Sequence, residues 1–206
     1  MAAFPLPLSR QMDRLRNRLV LACAGLGGRG GSCYAGPGLR LTGPACLHLG
    51  HRVQIGRDCY ISCQREGSRI ELSDDVGIGD GVRLEAYGGT ISLGRNSALL
   101  PRCIVYGHGG VLIGDDVYVA AGGVIVASNH AFDRTDLLIR EQGDTAQGIV
   151  IESNCWLGAG VRVLDGVTIG CGSVIGAGSV VSRSIPPGSV AVGAPARVIR
   201  SRSGRQ

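Results

Sequence analysis

The sequence contains no lysine; all 21 basic side chains are arginine. They exceed the 16 acidic ones and leave a net charge of +5. An excess of this kind attracts anionic partners in general and also arises from an arginine-rich composition. No block of arginines is interleaved with aromatics, so the pattern of a nucleic-acid-binding surface is missing. Aromatic residues make up only 4% of the chain, and the core must therefore be built from aliphatic layers. No apolar run is long enough to span a bilayer. The eight cysteines, at 23, 33, 46, 59, 63, 103, 155 and 171, include no Cys-x-x-Cys pair, which removes the zinc-ribbon reading. With 44% hydrophobic residues the chain has a core of its own and no need of a disulfide scaffold. The cysteines are read as free, small, buried packers. The apolar stretch Leu19–Ala22 ahead of Cys23 is too short for an export signal, which needs roughly 7–15 residues. The chain is accordingly expected in the cytoplasm.

Glycine is what the sequence has in excess: 35 of 206 residues, against a usual share of about 7%. There is no Gly-X-Y triplet, so this is not collagen. Instead there is a period of six. Stepping by six from Ile151 gives Ile151, Leu157, Val163, Ile169, Ile175 and Val181, all large aliphatics without a gap. Upstream the same step returns in triplets: Leu49, Ile55, Ile61; Leu72, Ile78, Leu84; Leu93, Leu99, Val105; and Ile113, Val119, Ile125. The triplets are separated by jumps of 11, 9, 8 and 26 residues, which exceed one step by 5, 3, 2 and 20. The position two before the aliphatic is mostly small or β-branched and includes Cys59, Cys103 and Cys155.

A period of six with β-branched residues is not a helical period. Three six-residue units make a triangular coil whose flat sides are short strands. Stacked coils pair as parallel strands about 4.8 Å apart. No coil buries its own inner face, so stability comes from stacking. Eighteen inward positions give six coils. The glycine that often follows the aliphatic is assigned to the tight corner. Residues 1–45 are read as a short helix (9–24) followed by a glycine-rich link, 46–185 as the solenoid with a loop at 127–148 extruded from it, and 186–206 as a tail packed back as an irregular or helical cap. A basic side on the helix allows a weak contact with a membrane surface.

The runs Ile151-Glu-Ser-Asn-Cys-Trp-Leu-Gly-Ala-Gly-Val161, Val167-Thr-Ile-Gly-Cys-Gly-Ser-Val-Ile-Gly-Ala-Gly-Ser-Val-Val181 and Ile185-Pro-Pro-Gly-Ser-Val-Ala-Val-Gly-Ala-Pro-Ala-Arg-Val-Ile-Arg200 closely resemble the bacterial hexapeptide-repeat acyltransferases, among them the galactoside, maltose and colanic-acid acetyltransferases. The resemblance is strongest from about 90 to 200. It implies an all-β, left-handed parallel β-helix, an exception to the right-handed crossover rule, and a homotrimer with active sites between subunits. It implies acetyl-CoA as co-substrate, no required metal, and a sugar hydroxyl as acceptor in surface polysaccharide or lipopolysaccharide synthesis.

The site residues follow by position. A 20-residue insertion in a compact solenoid is where function is expected, and this one opens with Ala127-Ser-Asn-His130. A neutral imidazole is suited to deprotonating a hydroxyl, and the resemblance makes His130 the general base, with Asn129 beside it and Trp156 in the acceptor cleft. Asp133, Asp136 and Glu141 are open as the acidic partner of His130. Trp156, the single tryptophan, is expected to leave the coil at a corner. The family's coenzyme A contacts map onto Ala159, Ala177, Ser182, Arg183, Arg197 and Arg200. Arg102 stands where the galactoside and maltose enzymes carry an acceptor-binding asparagine, which points away from those acceptors and toward a charged one.

Three other readings have weaker support. A γ-class carbonic anhydrase shares the solenoid but needs three zinc-bound histidines, and His48, His51, His108 and His130 are poorly spaced for that. A non-catalytic scaffold would bind no coenzyme A. An amino-sugar N-acetyltransferase is the nearest alternative, because one histidine serves either nucleophile.

Overall fold

The computed structural model describes residues 33–43 and 46–203, and the expected helix at 9–24 lies outside them. The described chain is a parallel β-solenoid of triangular section. Its strands form three sheets of nine, seven and six strands that run the length of the stack. We call these faces A, B and C, in the order in which the chain visits them. Face A begins with Tyr34–Ala35, face B with Arg40–Thr42 and face C with Leu47–Leu49. Each strand pairs in parallel with its counterpart in the next coil, as Ala98 does with Tyr118 and Ile104 with Val124.

The six-residue period is realised as read. Ile151, Leu157, Val163, Ile169, Ile175 and Val181 are all within 1% of fully buried. Position i−2 also faces inward, and its polar members close the corners. Cys59, Cys103 and Cys155 donate from Sγ to Gly79, Ala120 and Gly170 carbonyls at 3.2–3.3 Å, and Ser97 Oγ reaches the Gly114 carbonyl at 2.7 Å. Burial pushes the Cys63 thiol up to about 11. Cys171 departs from the expected burial and stands exposed at a corner.

The corner glycines work differently from the expectation. The glycine at i+1 is not in the left-handed region; it is there because the next coil leaves no room for a side chain. A Cβ on Gly94 would sit 2.4 Å from the Gly114 carbonyl carbon. The left-handed residue is at i+3, where Asp75, Asn96, Arg102, Asp116 and Asn154 take φ between +55° and +62°.

There are seven coils rather than six, because the stack opens at Tyr34 and not near residue 46. Tyr34–Ala35 pairs with Gln54–Ile55, and Arg40–Thr42 with Tyr60–Ser62. The glycines and prolines of 36–44 read as a loose link, yet Gly36 is a packed corner: a Cβ there would meet the Gly56 backbone at 2.7 Å. The tail is a strand pair and not a helical cap. Ser189–Val192 joins face A, and Arg197–Ser201 returns antiparallel along it. Among the described residues the single helical turn is Ile139–Glu141, and no helix is long and apolar enough to cross a membrane.

The edges of the prism are not equivalent. From face A to face B, and from face C to face A, successive inward residues are six apart in every coil that pairs. From face B to face C the spacing is eight (Leu41 to Leu49), eleven (Ile61 to Leu72), nine (Leu84 to Leu93), eight (Val105 to Ile113), twenty-six (Ile125 to Ile151) and then six (Val163 to Ile169). Every insertion therefore falls on one edge, BC. The largest is the arm, closed by an antiparallel pair of Asn129–His130 with Asp144–Thr145.

Candidate active site

The arm places His130 directly opposite Asp144 in its strand pair. Asp144 Oδ1 lies 2.6 Å from His130 Nδ1, with both side chains more than half exposed. A carboxylate on Nδ1 holds that nitrogen as the donor and leaves the Nε2 lone pair free to accept a proton. The acidic partner is thus none of the three considered from sequence. Asp136 is held by Arg134 through two hydrogen bonds, and Asp133 and Glu141 are exposed on the arm. The sequence did carry the signal, because a hairpin opening at Asn129 and closing after Gly143 brings 130 against 144.

A second imidazole stands one coil below. His108 Nδ1 is 3.2 Å from Ser128 Oγ, two residues before His130. Its ring stacks on Tyr87 at 4.3 Å and 13°. Tyr106 meets Tyr87 edge-on at 5.3 Å, and the Arg65 guanidinium lies over the Tyr87 ring, 5.1 Å from its centroid. Burial first, and the Arg65 charge second, push His108 below its ordinary value; Asp144, Glu85 and Asp165 pull the other way. Both histidines thus lie within one electrostatic field. Sequence reading left this cluster out because its members are 20 or so residues apart and meet only by stacking. An open cleft of about 560 Å³ runs beside His108, walled by Gly89, Gly110 and Gly148.

The residues matched to coenzyme A fall into two groups. Ala159 and Ala177 are exposed on edge AB, one above the other, and Gly178 N–H donates to the Ala159 carbonyl at 2.8 Å. The amides of Ala159 and Ala177 themselves find no acceptor among the described residues. The edge is bare around them: nothing stands within 4 Å of where a Gly178 side chain would be. Two free donors on an unobstructed edge fit a linear ligand carrying amide carbonyls. Ser182 and Arg183 are exposed on edge BC two coils above the one that carries the arm, while Arg197 and Arg200 are exposed on the returning strand. Arg102 stands on edge AB with φ +62°. Within one chain, Arg102 and the alanine amides are therefore across face B from His130. Trp156 is on flat face A, not at a corner; it lies between Tyr118 and Val174 and is 55% exposed. Asn129 is exposed beside His130, and its carbonyl accepts from Thr145 Oγ1 at 3.4 Å. Among the described residues no three His, Cys, Asp or Glu side chains converge as a metal set.

Residues 148–183 match the model of the bacterial transferase hexapeptide family (six repeats). A putative lipopolysaccharide biosynthesis O-acetyl transferase of Escherichia coli is 34% identical over 69% of this chain and 75% of its own length. The chain belongs to the hexapeptide-repeat transferase family. Other relatives are a probable acetyltransferase of Mycobacterium tuberculosis, 33% identical over 79% of this chain and 54% of its own length, and the galactoside O-acetyltransferase of Escherichia coli, 38% identical over 58% of each. The chain spans a little over half the length of these two. Solved structures with the same fold include an N-acyltransferase from Bacillus cereus, in complex with dTDP and coenzyme A, with TM-score 0.59, 17% identity and coverage of 85% of this chain and 83% of that one. The polySia-specific acetyltransferase NeuO superposes with TM-score 0.51 at 23% identity over 85% of this chain and 88% of its own.

Proposed function

We propose that this hexapeptide-repeat protein is an acetyl-CoA-dependent O-acetyltransferase acting on a sugar-containing acceptor in cytoplasmic steps of surface polysaccharide or lipopolysaccharide synthesis. The observation that carries the reading is the His130–Asp144 pair, held on an arm beside a face whose opposite edge offers free amide donors. Nε2 of His130 takes the proton from the acceptor hydroxyl as its oxygen attacks the thioester carbonyl. The tetrahedral oxyanion is held by a backbone N–H. Collapse breaks the carbon–sulfur bond, and the imidazolium returns the proton to the departing thiolate, giving the acetyl ester and free coenzyme A. Asp144 stabilises the imidazolium between the two transfers. No covalent enzyme intermediate is needed, and holding donor and acceptor together does much of the work.

The pantetheine amides are assigned to Ala159 and Ala177, and the phosphates to Ser182, Arg183, Arg197 and Arg200, whose forked donors suit them. From Ala159 to the rung of edge BC in the same coil is five or six residues, on the order of 15 Å along a strand at about 3.3 Å per residue. Base and donor amides are thus too far apart to meet on one chain. That separation supports sites built between subunits, with edge AB of one facing edge BC of the next; the left hand and the homotrimer are carried over from the resemblance. Arg102 and Trp156 would then line the acceptor side from the neighbouring copy, with Asn129 beside the base. The name of the 34%-identical Escherichia coli relative supports the polysaccharide context.

Calorimetric titration with acetyl-CoA tests the donor site without knowledge of the acceptor. Micromolar-range binding that is weakened in an Arg183→Ala/Arg197→Ala double variant is expected. Absence of binding at millimolar acetyl-CoA would overturn the assignment. A screen of hydroxyl and amino-sugar acceptors then separates O-transfer from N-transfer.

A further inference from the structure

The insertions of edge BC build more than an arm. Coils two to five add 5, 3, 2 and 20 residues there, and the added segments carry Arg65, Tyr87, His108 and Ser128 in one stack. The stack is continuous: guanidinium over Tyr87 at 5.1 Å, Tyr87 on His108 at 4.3 Å, His108 to Ser128 at 3.2 Å. It ends at the arm that holds His130. Arg65 is exposed at the far end and makes no ion pair among the described residues. Arg83, one coil above, is instead neutralised by buried Glu85. Each coil rises about 4.8 Å, so Arg65 sits on the order of 15 Å from Ser128. The cleft of about 560 Å³ opens on the face C side of this same edge, between Leu112 and Val150 and the glycines 89, 110 and 148, and the stack borders it at His108.

Packing alone explains the ring stack, but it does not explain why a cation without an ion pair among the described residues terminates it or why every insertion of the repeat is spent on this edge. We infer that edge BC is a groove for an elongated acidic acceptor, with an anionic group of the acceptor (carboxylate or phosphate) on Arg65 and the hydroxyl to be acetylated at His130. The stack from Arg65 to Ser128 spans about 15 Å at about 4.8 Å per coil, several sugar rings or the length of a nucleotide-linked sugar. A free neutral monosaccharide would leave most of the groove empty. His108 alone of the stack lines the cleft along the way. This assignment rests on the acetyltransferase reading for the identity of the reacting end, while its anionic end does not.

The test is equilibrium binding of three probes to the full chain: trigalacturonic acid, UDP-glucose and neutral maltotriose. Both anionic forms carry the required charge, and whichever binds tighter distinguishes an acidic glycan from a nucleotide-linked sugar. At least one anionic probe is expected to bind ten times or more tighter than maltotriose. Arg65→Gln should abolish that preference, Arg65→Lys should restore part of it, and His130→Ala should leave it intact. Equal binding of all three probes, or a preference that survives Arg65→Gln, overturns the inference. An acetyl-CoA titration of the same samples keeps the two readings apart. Donor binding without an anionic preference removes the groove and leaves the transferase. An Arg65-dependent preference without donor binding does the reverse.

Discussion

Edges BC and CA belong to one prism and share one backbone, but they are loaded in opposite ways. Edge CA keeps the six-residue spacing in every coil and is crowded with charge. That charge is used inside the chain. Asp74 Oδ1 accepts the His51 N–H at 2.7 Å, Asp115 Oδ1 accepts the Arg95 N–H at 2.7 Å, and Glu152 Oε2 accepts the Cys171 N–H at 2.6 Å. Arg52 pairs with Asp75, and Arg95 with Asp115. Each carboxylate caps the corner of the coil next to it. Edge BC breaks the spacing in five coils and, among the described residues, carries groups with capacity to spare: a histidine with no partner on Nε2, an imidazole on a stack of rings, a guanidinium without an ion pair. Charge at the corner of a solenoid is therefore no sign of a site. A break in the period, together with groups the chain does not satisfy, is one.

The strongest way to break this comparison is to remove the proposed base. His130→Ala should cut acetyl transfer by about 10²- to 10⁴-fold, the usual share of general-base catalysis, with the thermal midpoint unchanged because His130 is exposed on the arm. Full activity in that variant would make edge BC as inert as edge CA. A core substitution beneath both edges should not distinguish them. Leu99 is fully buried, and Leu99→Ala should cost about 2–5 kcal/mol of stability, read from denaturant unfolding. The first coil gives a smaller effect. Gly36→Ala forces a side chain against the Gly56 backbone and should cost about 1–3 kcal/mol. A neutral outcome would return 33–43 to the status of a link.

The smallest effect is on the pH dependence of stability, where the two edges have the same sign but act in different pH windows. His108 is held below its ordinary value in the folded chain, chiefly by burial. The unfolded chain therefore binds more protons just below the ordinary histidine value of about 6.5, and stability falls as pH drops through that window. Asp75 is held below its ordinary value by its bond to Arg52, and Asp115 by the Arg95 backbone amide first. Their contribution persists above the ordinary carboxylate value of about 3.9 and is lost only on further acidification. Thermal midpoints measured from pH 7.5 to 3.5 should thus decline in two steps. His108→Gln should remove the upper step and leave the lower.

Much of the solenoid was legible in the sequence because the period reports directly on which side chains must be buried. The run from Ile151 to Val181 specified three strand sets without help from tertiary structure. The first coil was not legible, since Gly36, Pro37, Gly38, Gly43 and Pro44 read as a flexible link when considered alone. Only stacking shows that Gly36 is a crowded corner. The place of His130 on the extruded arm was legible from its position at the mouth of the insertion. Asp144 was not, because choosing among the acids of the arm requires the register of its hairpin. The Arg65–Tyr87–His108–Ser128 stack was also hidden: residues one coil apart are neighbours only once the unequal coil lengths are known. Trp156 was misplaced for a related reason, since a residue just before an inward aliphatic lies on the flat of the strand and not at its corner.

The account rests on the arm, and one measurement tests it most directly. Thiol release from acetyl-CoA would be followed with and without a mixed panel of neutral and acidic sugars for the wild type, His130→Ala and Asp144→Asn, alongside acetyl-CoA binding by each. Undiminished donor binding in all three, acceptor-stimulated thiol release in the wild type, near-complete loss in His130→Ala and an intermediate loss in Asp144→Asn are predicted. Acceptor-stimulated release that is equal in the wild type and His130→Ala would contradict the central claim and move the chemistry off the arm.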